Sequence, residues 1–218
     1  GRIRREMDAV AFPDNAAEVA ALLAAAGETG FRIVPRGGGS TVVGGLKAPG
    51  SDKRPVVVAD LLRMHRILDL SAANRTVTAE AGTPLSSIED ALEPEWLTLG
   101  HYPQSFYGAT LGGSIAANGA GQRSDGYGRL ADNLVSARIA TPSGLWSTEM
   151  FRQAATGPWL GGLVAGSEGL FGIVTDATMR LHQQPEHIED RAWLLPSFHA
   201  AVEAVRALAQ AGHGLAML

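Results

Sequence analysis

"FRIVPRGGGSTVVGG", residues 31–45, runs from a short aromatic and β-branched segment into a loop with five glycines between Pro35 and Gly45. The first four residues read as a strand. Each glycine raises the ordering cost of the backbone by roughly 0.5–1 kcal/mol relative to alanine. A loop this rich in glycine needs a compensating reason: backbone geometry that only glycine tolerates, or a ligand lying against the main chain. N–H groups in such a turn form a concave anion site, because no Cβ blocks an approaching oxygen. Ser40 and Thr41 add hydroxyl donors at its end, a set suited to a diphosphate. A tight strand-to-strand loop alone accounts for one or two of the glycines.

Glycine is the outlier of the whole composition, with 27 in 218 residues against an average near 7%. Six fall between positions 37 and 50 and fifteen between 100 and 172. Alternating apolar runs separate the clusters, so this is not a low-complexity tract, and no internal repeat is found. With 45% apolar and 18% charged residues the chain belongs neither to the disordered nor to the membrane-spanning class. Its length suits one large or two small domains. The most apolar segment, Ala16 to Ala26, is too short for a bilayer. Gly1 points to a processed or trimmed start, and no apolar stretch follows Arg4 and Arg5, so no signal peptide is expected. The absence of cysteine excludes disulfides, thiolate zinc sites and a cysteine nucleophile, and fits a reducing, cytoplasmic setting. A net charge of −4 gives no reason to expect nucleic acid. The expected partner is a small-molecule substrate, and a homodimer is left open.

The elements follow from local signals. Asn15 with Glu18 resembles a capping box ahead of a helix striped by Val19, Leu22 and Leu23 and ended by Gly27 or Gly30. "PVVVADL" (55–61) is a second strand, and residues 65–82 read as two strands about a polar turn at Ala72 to Arg75. Thr83 as cap and Pro84 as first residue predict a helix with Leu85, Ile88, Ala91 and Leu92 on one face. A hairpin is expected around Pro142-Ser143-Gly144, and a strand over 172–181 with Ile173, Thr175, Ala177, Met179 and Leu181 on one side. "HQQPEHIEDR" (182–191) reads as a linker. Ser197 then caps a helix with Ala201, Val202, Val205 and Leu208 inward, the start of an incomplete second domain. Mixed parallel and antiparallel strands with helices argue for an α+β chain in two lobes.

Two further glycine clusters extend the first. "GHYPQSFYGATLGGSIAANGAGQRSDGYG" (100–128) interleaves small residues with the polar donors Ser105, Thr110, Ser114 and Asn118, and "GSEGLFGIV" (166–174) leads into a strand. Such surfaces suit a flat, extended ligand. There is no G-x-x-x-x-G-K-[ST], no G-x-S-x-G and no H-E-x-x-H, and the six histidines are scattered. The G-x-G-x-x-A match at Gly126 to Ala131 lacks a preceding strand.

"PRGGGST", "PQSFYGATLGGSIAANGAG" and "GSEGLFGIVTDA", in this order and spacing, resemble the FAD-binding domain of the vanillyl-alcohol oxidase / p-cresol methylhydroxylase (PCMH) superfamily over about residues 9 to 182. Within it, "LTLGHYPQS" and "YGRLADNLV" are most similar to the alkylglycerone-phosphate synthase family and its bacterial FAD-linked oxidase relatives, and less so to D-lactate and other 2-hydroxy-acid dehydrogenases. Asn118 departs from the more basic pattern of the synthases. The resemblance implies a PCMH-type domain over 1–182 with FAD between two α/β lobes, then a linker and the first helix of a cap (substrate) domain over 183–218. It implies an FAD-dependent oxidoreductase acting on a 2-hydroxy acid or alcohol through the flavin N5, or a synthase making a redox-neutral acyl-to-alkyl exchange. A flavin-binding module without turnover is the reading from another class.

Carried over by motif, the first loop contacts FAD through Pro35, Arg36, Gly37, Gly38, Gly39, Ser40 and Thr41. The second does so through Gln104, Ser105, Phe106, Tyr107, Gly108, Ala109, Thr110, Gly112, Gly113, Ala117, Asn118, Gly119 and Ala120. The third contributes Glu168, Gly169, Leu170, Phe171, Gly172, Ile173 and Val174. Relatives with tethered flavin carry histidine at the place of Gly39, so the flavin is expected to be non-covalent. Catalytic residues stay unassigned. Arg36 either neutralises phosphate or faces solvent. His101 is read as a hydrogen-bonded loop histidine, with a proton shuttle as the other option, and Glu168 as a partner to backbone donors. Tyr102, Tyr107 and Tyr127 either stack on a ring or pack.

Overall fold

The first third of the chain builds a parallel sheet, and the glycine loop leaves from that sheet's edge. The computed structural model describes residues 4–5, 7–49, 53–150, 155, 157–212 and 214–217; Gly1 and the terminal Leu218 lie outside them. In chain order the first lobe runs β1 (Arg4–Arg5), β2 (Ala9–Ala11), α1 (Ala16–Thr29), β3 (Arg32–Arg36), β4 (Ala48–Pro49) and β5 (Val56–Asp60). The sheet order is β2-β5-β3, all parallel, and β1 pairs with β4. The central strand β5 is apolar from Val56 to Ala59, with Val56, Val58 and Ala59 buried, as befits a strand enclosed by parallel neighbours.

Helix α1 forms where the local signals put it. Asn15 Oδ1 accepts the Glu18 N–H at 3.0 Å, while the Glu18 carboxylate accepts from Asp14 N–H and Asn15 Nδ2 at 2.9 Å each. Gly30, at φ 81°, closes the helix. Val19 is fully buried, and α1 packs between β3 of the first sheet and the sheet of the second lobe.

The second lobe runs β6 (Ile67–Ser71), β7 (Thr76–Glu80), α2 (Leu85–Leu92), a 3-10 turn (Glu93–Glu95), β8 (Leu97–Thr98) and α3 (Leu111–Ala116). Then come α4 (Ser124–Tyr127), α5 (Leu130–Asn133), β9 (Leu134–Thr141), β10 (Gly144–Ser147), α6 (Gly161–Val164), β11 (Ile173–Arg180) and β12 (His182–Gln183). Its sheet, β10-β9-β11-β7-β6, is antiparallel throughout. Both expected hairpins are present, with Ser71 opposite Thr76 and Thr141 opposite Gly144. Ile173, Thr175, Ala177, Met179 and Leu181 are all buried, as the alternation along 172–181 predicts. The core joins Leu85, Ile88 and Leu92 of α2 to Leu111 and Ile115 of α3 and to Leu134, Ile139 and Met179 of the sheet. Parallel and antiparallel sheets with helices make this an α+β fold.

Three expectations need correction. The cap of α2 is Pro84 and not Thr83: an antiparallel bridge to Thr110 holds Pro84 extended, and the Thr83 carbonyl accepts from Leu111 N–H at 2.9 Å. The start of the expected linker stays tied to the body. His182 and Gln183 pair with β8, and Gln184 donates from its N–H to Trp96 O at 2.8 Å. Finally, α7 (Phe198–Ala211) is capped by Ser197, whose Oγ accepts Ala200 N–H at 3.2 Å, but has no buried residue. Val202 and Val205, expected to face inward, are 45% and 48% exposed because nothing among the described residues covers that face.

Candidate flavin site

A cavity of about 430 Å³ opens between the lobes. Its walls are the loop after β3, the end of β5 at Leu61, the segment from His101 to Ala120, and the turn leading into β11. Pro35, Arg36, Gly37, Gly38, Gly39, Ser40 and Thr41 all line it. So do Ser105, Ala109, Thr110, Gly112, Gly113, Ala117, Gly119 and Ala120, and then Glu168, Gly169, Gly172, Ile173 and Val174.

The walls are fastened to one another by backbone contacts. The Pro84–Thr110 bridge fixes the start of α3, and Gly166 and Glu168 donate their N–H groups to Ile115 O and Ala116 O at 3.0 and 2.9 Å. A Cβ on Gly38 would overlap the carbonyl of Gly108, so the first glycine loop and the second meet at van der Waals contact of main chain on main chain. Gly38 is therefore required for close approach; the positive φ, 68°, lies next door at Gly39. The N–H groups of Gly37 to Thr41 make no hydrogen bond among the described residues.

Arg36 is part-buried and does not stand as a free cation. Its guanidinium pairs with the buried Asp60, whose other oxygen accepts Leu62 N–H at 3.0 Å, and it lies under Gly39. It braces the loop with its charge compensated.

Several expected contact residues do not face the cavity. Gln104 and Tyr107 are exposed, the latter by 87%, and Leu170 and Phe171 point outward at 78% and 51%. Gly108 is the seat of Gly38. Phe106 stacks on Tyr102 with ring centroids 4.9 Å apart. Asn118, at φ 46°, accepts Ala131 N–H at 3.3 Å and so anchors α5. Tyr127 packs edge-on against His182. Glu168 lines the wall at φ 49° and makes its tie through its own N–H rather than through its carboxylate, because the left-handed turn leaves the side chain exposed. The G-x-G-x-x-A match falls across the single-turn helices α4 and α5, with no strand before it.

The cavity also takes in residues that the motifs did not single out as contacts, including Val34, Val42, Leu46, Leu61, Pro103, Ser114 and His101. His101 is only 2% exposed, and burial pushes its imidazole down to about 4, so it is neutral near pH 7. The segment carrying it is held by Glu89 of α2. That carboxylate accepts from Thr98 Oγ1 and Leu99 N–H, at 2.9 Å each, and from the Tyr102 hydroxyl at 3.3 Å. Burial raises the Glu89 pKa, and these hydrogen bonds oppose the rise without cancelling it. Arg123 lies over the Tyr102 ring at 4.3 Å. Among the described residues, the buried side-chain atoms without a hydrogen-bond partner are Nδ1 and Nε2 of His101 and Oγ1 of Thr110. Both residues that carry these atoms are among those lining this one cavity.

Comparison with known proteins identifies the kind of domain that carries this cavity. A family described as FAD binding domain matches residues 7–148. The chain belongs to that family. Over 206 residues the domain is 34% identical to alkyldihydroxyacetonephosphate synthase of Dictyostelium discoideum, covering 94% of this chain and 34% of that protein. It is 32% identical over 200 residues to D-2-hydroxyglutarate dehydrogenase of Xanthomonas citri pv. viticola, covering 89% of this chain and 41% of that one. A solved structure of alkyldihydroxyacetonephosphate synthase superposes with a TM-score of 0.83 at 33% identity, over 93% of this chain and 36% of the other. The chain thus spans about a third of the length of the synthases it matches.

The cofactor of this FAD binding domain is FAD, and the residues present suit it. A run of unbonded N–H donors offers the dipoles that a diphosphate needs. Apolar Ile173, Val174 and Ala109 offer surface for a ring system. The three unpartnered polar atoms offer hydrogen bonds that the protein itself does not use. Among the described residues no helix is long and apolar enough to cross a membrane.

Proposed function

We propose that the chain is the cofactor-holding part of an FAD-dependent oxidoreductase whose substrate is a hydroxylated small molecule, a 2-hydroxy acid or alcohol. The observation that supports this best is the presence, on one cavity, of the unbonded N–H groups of Gly37 to Thr41 and the unpartnered buried atoms of His101 and Thr110. When bound, FAD would supply the redox chemistry, the two-electron oxidation of the hydroxyl-bearing carbon. The chain's own residues bind and orient. The glycine loop meets the diphosphate with main-chain dipoles. Arg36, neutralised by Asp60, keeps that loop in place, and Ala109, Ile173 and Val174 keep water from the ring.

The cofactor is held without a covalent bond in this reading, since Gly39 carries no nucleophile and the chain has no cysteine. The body, which ends with β12 and Gln184, holds the cofactor, and the residues after it supply the linker and first helix of a substrate (cap) domain, a division that the exposure of α7 supports. A cytoplasmic location goes with the lack of cysteine. A second reading, the redox-neutral acyl-to-alkyl exchange of an ether-lipid synthase, is favoured by the likeness to the solved synthase.

Titration of apoprotein is the first test. FAD binds, FMN binds far more weakly because it lacks the diphosphate, and Gly38→Ala removes FAD binding by wedging the two loops apart. Equal FAD affinity in parent and variant would sink the assignment of the cradle. Acid precipitation then leaves flavin in the supernatant; flavin colour in the washed pellet refutes the non-covalent assignment. Anaerobic bleaching of the flavin in the whole protein by 2-hydroxy acids or alcohols separates the oxidoreductase from the synthase.

A further inference from the structure

We propose that His101 is a flavin-binding residue: its neutral imidazole hydrogen-bonds a polar atom of bound FAD and contributes to affinity without taking part in the chemistry. The proposal rests on the cavity being the FAD site and adds to it a residue that the motifs did not assign as a contact.

A histidine that is 2% exposed normally has a partner for its ring N–H, because an unpaired buried donor or acceptor forfeits its bond to water. His101 has none at either nitrogen, whereas other polar groups beside it are satisfied. Thr98 Oγ1 donates to Glu89 and accepts Gly100 N–H at 2.9 Å, and the Tyr102 hydroxyl donates to Glu89.

Position points the same way. The Nε2–Cε1 edge of the ring lies beside Gly119, where an added methyl would come within 3.2 Å of Nε2, and Gly119 is itself a cavity wall. The flanking chain is clamped on both sides. Before His101, Leu99 is bonded to Glu89; after it, the Tyr102 ring stacks on Phe106 and meets the Arg123 guanidinium. That clamp holds the ring against the cavity with little freedom to turn elsewhere. Burial keeps the ring uncharged near neutral pH, so it presents one donor and one acceptor.

The test compares His101→Leu, which keeps most of the volume and removes both nitrogens, with His101→Asn and His101→Gln, whose amides replace Nδ1 and Nε2 respectively. FAD affinity is read by quenching of flavin fluorescence, and the thermal midpoint is measured on the apoproteins. The expected result for His101→Leu is an affinity about tenfold weaker, with an apoprotein midpoint equal to or above that of the parent. One of the two amides recovers most of the affinity. Unchanged affinity in His101→Leu overturns the proposal. So does a lowered apoprotein midpoint together with failure of both amides, which would make His101 a packing residue. A parent chain that takes up no FAD is a different failure, because it removes the cofactor site itself.

Discussion

Helices α1 and α7 are both 14 residues long, and both begin with a side-chain cap on the third N–H and end at a glycine with φ of 81° or 64°. Their fates differ. Val19 of α1 is sealed between two sheets, while α7 leaves Phe198, Val202 and Val205 exposed. Nearest-neighbour chemistry sets where a helix starts and stops; burial of its apolar stripe depends on surfaces distant in sequence. The two helices therefore separate local helix stability from tertiary stability within one chain.

The sharpest way to break the comparison is a charge at equivalent apolar positions. Val19→Asp strands a carboxylate in the core and is expected to lower unfolding free energy by at least about 4 kcal/mol. Val202→Asp, on the uncovered face, should stay within about 0.5 kcal/mol. Urea denaturation of both variants checks this, and similar losses would show that α7 is covered in solution.

The packed body also carries a buried titration. His101 holds a pKa of about 4 in the fold against an ordinary 6.5, so the unfolded chain binds the proton first as pH falls. Apoprotein stability is whole above about pH 6.5 and is lost progressively towards pH 4, by about 3 kcal/mol. His101→Leu should flatten that slope while leaving the slope contributed by the carboxylates. Parallel curves for parent and variant would disprove it.

The smallest effect comes from the caps. Asn15→Ala and Ser197→Ala each remove one cap bond worth about 1 kcal/mol. For Asn15 the loss should appear in global unfolding, because α1 is built into the body. For Ser197 it should appear only as faster amide exchange in α7, with the global midpoint unmoved.

The features legible in the sequence were those set by residues close together along the chain. The Asn15 cap, the turns at Ala72–Arg75 and Pro142–Gly144, and the alternation from Ile173 to Leu181 all depend on neighbours a few positions away. The three glycine clusters marked the cavity because close packing of main chain leaves glycine as its trace. What stayed hidden depended on contacts across the fold. Pro84 displaced Thr83 as a cap because Thr110, 26 positions further on, bridges to it. Gln104, Leu170 and Phe171 belong to the right motifs but point away from the cavity, since a motif specifies a segment and the turn within it sets each side chain's direction. His101 was visible as a residue, but its lack of a partner was not.

The Arg36–Asp60 pair has a consequence for ionic strength. Among the described residues that line the cavity Arg36 is the one arginine or lysine, and its charge is already met inside the protein. The cradle thus presents main-chain dipoles where many phosphate sites present surplus positive charge. Mobile ions screen a net charge across several ångströms far better than they disturb short hydrogen bonds in a recess. Concentrated salt should therefore release nucleotides bound loosely to the surface while leaving FAD in place, making a high-salt wash a means of purifying the holoprotein rather than of stripping it.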